Sequence, residues 1–197
     1  MNKRTQQANK TKKRIIDCAR KLFLEKGYSN VSVDEIIREA GSSKGGFYTH
    51  FKTKEQLIFS MVGLVDEAYL KFSESERRYK NTIEKIYLLM EYVFEFMEKE
   101  IGLDFMSVIY SSQIKAQTTN RFLISPEREY YRRLEMLTKE GQKNGELSTE
   151  LPSSEMVAIL TTCARGVIYD WCLQEGAFQL RSYGMKVIGI VLNQFKL

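Results

Sequence analysis

Apolar positions recur along this chain at intervals of three and four residues, the spacing of one buried helical face. Ile15, Ile16, Ala19, Leu22 and Phe23 set the first stripe and predict a helix from about Thr11 to Lys26, which Gly27 ends. Val33, Ile36, Ile37 and Ala40 set a second stripe. Its start is marked by Ser32 with Glu35 three residues on, a capping box that satisfies free backbone N–H groups at a helix start. Gly41 stops it, because glycine takes the left-handed C-terminal conformation at little steric cost. Ser42 or Ser43 can cap the next helix, where Ser43, Phe47 and Phe51 share one row and turn two aromatics inward. Thr53 with Gln56 forms another capping box, opening a helix to about Glu76 along Leu57, Met61, Leu64, Val65 and Ala68. Five further stripes predict helices at about 81–100, 103–118, 126–144, 153–175 and 181–196. With only two prolines and twelve glycines in 197 residues, the expectation is an all-α protein of about nine helices.

The short helix after Gly41 carries Lys44, Tyr48, Thr49 and His50, all off the row that Phe47 and Phe51 occupy. A capped helix, a tight turn and a second short helix make a helix-turn-helix, whose second helix reads DNA in the major groove. Gly45 and Gly46 cost this helix about 1 kcal/mol each relative to alanine. Such a loss fits a backbone that must come close to something, and a DNA strand is the natural neighbour.

Charge sharpens this picture. Residues 1–56 hold 13 Lys+Arg and 6 Asp+Glu, net +7, while the rest of the chain is net −2 and the whole +5. A basic quarter joined to a slightly acidic remainder is the footprint of a nucleic-acid binder with a separate second module. The first fourteen residues contain six basic side chains and no acid, and read as an arm that follows a DNA backbone or minor groove, or simply aids solubility.

Several classes are excluded. Gly41 to Gly46 fits the opening of a phosphate-binding loop, but Phe47 and Tyr48 stand where Lys and Ser/Thr are required, and a helix precedes it where a strand should. The single histidine, His50, and the scattered Cys18, Cys163 and Cys172 offer no metal cluster and no catalytic set. The cysteines read as small buried apolar residues. No metal, cofactor or enzymatic activity is expected. No apolar run approaches bilayer length and no signal-peptide core follows the basic start, so a soluble cytoplasmic protein with no membrane partner is expected.

Residues 10 to 57 resemble the DNA-binding domain of the tetracycline-repressor (TetR/AcrR-type) family of bacterial regulators. The resemblance lies in the basic first helix ending Phe23-Leu24-Glu25-Lys26-Gly27-Tyr28, then Ser32-Val33-Asp34-Glu35-Ile36, then Ala40 through Phe51, then Lys52-Thr53-Lys54-Glu55-Gln56-Leu57. Gly46 stands where the family often has a small hydroxyl residue. The resemblance implies a DNA-binding domain over 10–60 and an effector-binding and dimerisation domain over 61–197. It implies that Lys44, Gly45 and Thr49 face base edges, and that Tyr48 and His50 donate to phosphates. Lys54 and the helix start at Ser32 would hold the backbone from either side, with Ser43 and Gly46 completing the DNA-binding set. It also implies a homodimer on a palindromic double-stranded operator, acting as a repressor relieved by a small molecule. The alternative is an effector-less architectural or division-linked DNA-binding protein of the same fold.

In the remainder, the 81–100 helix is apolar around most of its circumference, so it is expected in the middle of the body. Tyr87, Met90 and Phe94 on it, with Phe105, Ile109, Tyr110, Tyr130 and Trp171, are candidate walls of a pocket for a bulky, mostly apolar effector. Glu91, Glu95 and Asp104 leave open a cationic ligand or a solvated strip. The last two helices look like an association surface, through Met156, Leu160, Cys163 and Val167, then Ile188, Val191, Leu192 and Phe195. In the family this pair forms a four-helix bundle with its counterpart.

Overall fold

Two glycines stop the first two helices as their positions predict, Gly27 at φ +79° and Gly41 at φ +55°. The computed structural model describes residues 3–57, 60, 81–115 and 121–197. The described residues form eight α-helices and no strand beyond a single bridge between Leu147 and Lys196. The chain divides into two compact units, Met1–Val65 and Asp66–Leu197.

The first unit holds α1 (Lys3–Lys26), α2 (Val33–Glu39) and α3 (Lys44–His50). Ile15, Ala19, Ile36, Phe47, Phe51 and Leu57 make its core, each almost wholly out of water. α1 starts well before the expected Thr11. Residues 3–14 contain no glycine or proline and are rich in Lys, Arg and Gln, which favour helix. No side chain from residue 5 to 14 is buried, so propensity alone carries this extension. The Thr53–Gln56 box is displaced: the Gln56 side chain accepts from the Lys52 N–H at 2.7 Å, one residue earlier than predicted. Residues 55–57 and 60 are helical; residues 61–76 of the helix expected to run to Glu76, with Met61, Leu64, Val65 and Ala68, lie outside the described residues.

The second unit holds α4 (Thr82–Phe96), α5 (Leu103–Lys115), α6 (Glu129–Lys143), α7 (Ser153–Leu173) and α8 (Leu180–Phe195). α4 passes into a π-turn, Met97–Ile101, that Gly102 closes at φ +81°. Its start is doubly capped. Asn81 accepts from the Ile83 N–H at 2.8 Å, and Glu146 accepts the Thr82 N–H at 2.6 Å from the loop after α6. Ile86, Leu89, Met90 and Phe94 are fully buried against α6 and α8. Gly184 makes the α8 contact close: a Cβ there would stand 2.5 Å from the Phe94 ring. α7 is long and apolar enough in composition to cross a bilayer, against expectation. Nine of its side chains, from Ser153 to Trp171, are buried in this unit, so its apolar character serves the core.

Candidate nucleic-acid interface

α2 and α3 are each fixed by a serine cap that the sequence marks. The Glu35 N–H donates to Ser32 Oγ at 3.2 Å. The Glu35 carboxylate accepts in return from the Ser32 backbone and from Lys26, which holds it below the usual carboxylate range, Lys26 foremost. Ser43, not Ser42, caps α3, its Oγ accepting from the Gly46 N–H at 3.0 Å.

The two glycines of α3 have different reasons. A Cβ on Gly46 would lie 2.8 Å from Ser42 Oγ and 3.2 Å from Ser43 Oγ, so a side chain there would crowd both hydroxyls, the capping one included. A Cβ on Gly45 would meet nothing within 4 Å. Gly45 thus leaves open space on the outer face of α3, while Gly46 sits against the two serines.

With Phe47 fully buried, the rest of α3 is turned outward. Tyr48 is 51% exposed, its ring edge-on to Phe47 at 5.4 Å. Lys44 is exposed and lies 3.1 Å from Asp34 on α2, a hydrogen bond that raises the lysine above its ordinary pKa. Such a solvent-exposed pair contributes little and exchanges readily for a phosphate or a base edge. Asp34 is a partner that sequence spacing missed. Thr49 is exposed, and its hydroxyl donates to the Gly45 carbonyl at 2.7 Å. Its one donor is thus spent on the helix, leaving the methyl and lone pairs for a base edge, a set that suits a thymine methyl. His50 is half-buried at the end of α3.

Lys54, expected at a DNA phosphate, has its ammonium engaged by the fold. Nζ donates to the Tyr28 carbonyl at 2.7 Å and the Val31 carbonyl at 3.0 Å, and lies 4.0 Å from the centre of the Tyr28 ring. Burial, with Glu55 adding to it, pushes the Tyr28 phenol up to about 12, so the ring stays neutral under the ammonium. Lys54→Ala is expected to cost the first unit about 1.5–3 kcal/mol, the worth of hydrogen bonds from a charged donor. Urea unfolding checks this; unchanged stability with weaker binding to random DNA would restore the phosphate role.

In the second unit most expected pocket walls are packed core. Met90 and Phe94 are fully buried, and Phe105, Ile109 and Trp171 nearly so. Tyr130 is half-buried and donates to Met90 Sδ at 3.5 Å; Tyr87 lies beside Gly189 of α8. A cleft of about 350 Å³ opens instead at the far end of α5, and of the expected walls only Tyr110 lines it, with Gln113, Ile114, Leu123 and Arg165. Glu91 pairs with Arg181 and Glu95 with Lys99 in solvent-exposed ion pairs, the arrangement of a solvated strip.

The expected association stripe also turns inward. Met156, Leu160, Val167, Ile188, Leu192 and Phe195 are buried within the single chain, while Cys163 and Val191 are half-buried. On these two helices the large apolar residues left in water are Tyr169 and Leu173 of α7 and Tyr183 and Ile190 of α8, from 40% to 68% exposed. A second stripe on α7, Thr162-Gly166-Tyr169-Leu173 at four, three and four, carried that signal. All three cysteines are free and half-buried, less enclosed than expected.

Two family models match this chain. The model for bacterial regulatory proteins of the tetR family covers residues 15–61, and that for the C-terminal region of QacR-like proteins covers residues 66–193. The transcriptional regulator QacR of Staphylococcus aureus is 29% identical over 142 residues, 68% of this chain and 72% of its own. The regulator AcrR of Shigella flexneri is 25% identical across 99% of this chain and 94% of its own. A TetR-family regulator from Pectobacterium atrosepticum has the same fold, with TM-score 0.77 at 15% identity, covering 100% of this chain and 98% of that one.

Proposed function

The chain belongs to the tetR family of bacterial regulatory proteins and is a DNA-binding transcriptional regulator, and from that premise we propose a homodimeric repressor of a palindromic operator, relieved by a small, mostly apolar effector. The observation that carries the DNA role is α3: Phe47 and Phe51 lock it to the core while Lys44, Gly45, Tyr48 and Thr49 stay outside. Few side chains specify sequence, and the helix start at Ser32 with Tyr48 and His50 suits backbone positioning.

A seven-residue reading helix covers only one half-site. A palindrome needs two such helices about 34–36 Å or a multiple apart, which a two-fold dimer supplies. The outer faces of α7 and α8 support that dimer, since Tyr169, Leu173, Tyr183 and Ile190 are large apolar groups without cover in one chain. Nothing lies within 4 Å of where a Cβ on Gly166 would point, so a partner helix can come close there. The cleft in the second unit supports the effector, which works in the cytoplasm by shifting the population toward a form of lower operator affinity. A coupling of about 1–3 kcal/mol changes that affinity about 5–150-fold.

A mobility-shift and footprinting experiment on DNA from upstream of the protein's own gene tests this reading. A protected inverted repeat is expected; equal affinity for scrambled DNA of the same length would refute it. Lys44→Ala is expected to relax base preference at one or two positions per half-site, by about 1–3 kcal/mol. Selection from a randomised DNA pool checks it, and an unchanged consensus would remove Lys44 from the reading set.

A further inference from the structure

We propose that the cleft beside Arg165 takes an anionic amphipath, a carboxylate held by the guanidinium with an alkyl chain along Ile114, Leu123 and Ile124. Its regulatory meaning rests on the effector reading above; the binding itself does not. Arg165 stands half-buried on α7 and lines the cleft. Its guanidinium donates to the Tyr131 hydroxyl and, at 3.0 Å, to Thr162 Oγ1, both neutral acceptors. No carboxylate among the described residues pairs with it. Lys85, another half-buried cation of this unit, is neutralised by Glu140 at 2.8 Å.

A charge withdrawn from water is costly until it is paired. The hydroxyls orient the guanidinium without neutralising it, and Tyr131 is itself anchored by donating to the Leu123 carbonyl at 3.0 Å. Tyr110 cannot serve as the counter-ion. Its hydroxyl donates to the Arg165 carbonyl at 2.9 Å, and burial raises its pKa far above the ordinary phenol. A ligand carboxylate supplies the missing charge and matches the planar fork of the guanidinium. The alkyl half has its own evidence on the rim, where Ile114 is 63% and Ile124 51% exposed. A volume of about 350 Å³ lies at the small end of ligand sites and suits a chain of moderate length.

The test is calorimetric titration of the full-length protein with three probes of one chain length: decanoate, decanol and decyltrimethylammonium. Decanoate is expected to bind about tenfold more tightly than decanol, and the cation not at all. Arg165→Gln should weaken decanoate about tenfold and leave decanol unchanged; Ile124→Trp, at a half-exposed rim position, should weaken both. Equal or tighter binding of the cation overturns the site, as does decanoate binding that Arg165→Gln leaves unchanged. Should Arg165→Gln fail to fold, the headgroup comparison and Ile124→Trp still decide. Decanoate binding that leaves DNA affinity unchanged supports the site while removing the effector reading. No decanoate binding by a protein that still finds its operator overturns the site alone.

Discussion

Leu173→Glu combined with Ile190→Glu is expected to leave monomers and to lower operator affinity by about 100-fold or more. Both side chains stand in water in the single chain, at 63% and 68% exposure. Surface substitutions of this kind change folding stability by only about 0.5 kcal/mol. If these faces form the proposed dimer, the added glutamates lie in its joint, where like charges brought together cost several kcal/mol. Separating the subunits removes the linkage that lets one half-site hold the second near its target, and such linkage raises avidity about 10²–10⁴-fold. Sedimentation velocity reads the first effect and operator titration the second. A doubly substituted protein that stays dimeric would show that α7 and α8 are not the joint.

Phe47→Ala is expected to cost the first unit about 3–5 kcal/mol, the range for emptying a buried phenylalanine site. Phe47 is fully out of water and touches both Tyr48 and Phe51, with ring centres 5.4 and 5.5 Å away. A domain's whole stability is about 5–15 kcal/mol, so much of the reading unit's margin disappears. The body, built on its own core around α4, should unfold at its former temperature. Calorimetry is expected to show an early transition split from an unchanged later one, with affinity for every DNA sequence reduced together. One unshifted transition with intact DNA binding would mean that Phe47 does not hold α3 in place.

What could be read from the sequence was local. Ser32 and Ser43 announce helix starts, and Gly27 and Gly41 announce stops, because each signal is complete within a few residues. The family and its DNA-binding role were legible because the α2–turn–α3 segment is such a local unit. What depended on distant chain was not legible. Lys54 looks like a surface cation until the turn at Tyr28–Val31, 23 to 26 residues away, closes over it. α7 carries two apolar stripes, and periodicity alone does not say which one the chain buries itself. Only packing against α5, α6 and α8 assigns Met156, Leu160 and Val167 to the interior and leaves Tyr169 and Leu173 outside. The cleft was missed for the same reason. Large aromatics on α4 and α5 fill the core, and the cleft is lined by residues far apart in sequence, from Tyr110 and Ile114 through Leu123 to Arg165.

Two copies of α3 are proposed to read one palindrome together, and the mass of the protein–operator complex decides whether they do. Native mass spectrometry of the full-length protein on its operator is expected to find two chains per duplex, or a multiple of two, and no complex with one. A single chain bound to one duplex with full sequence discrimination would contradict it.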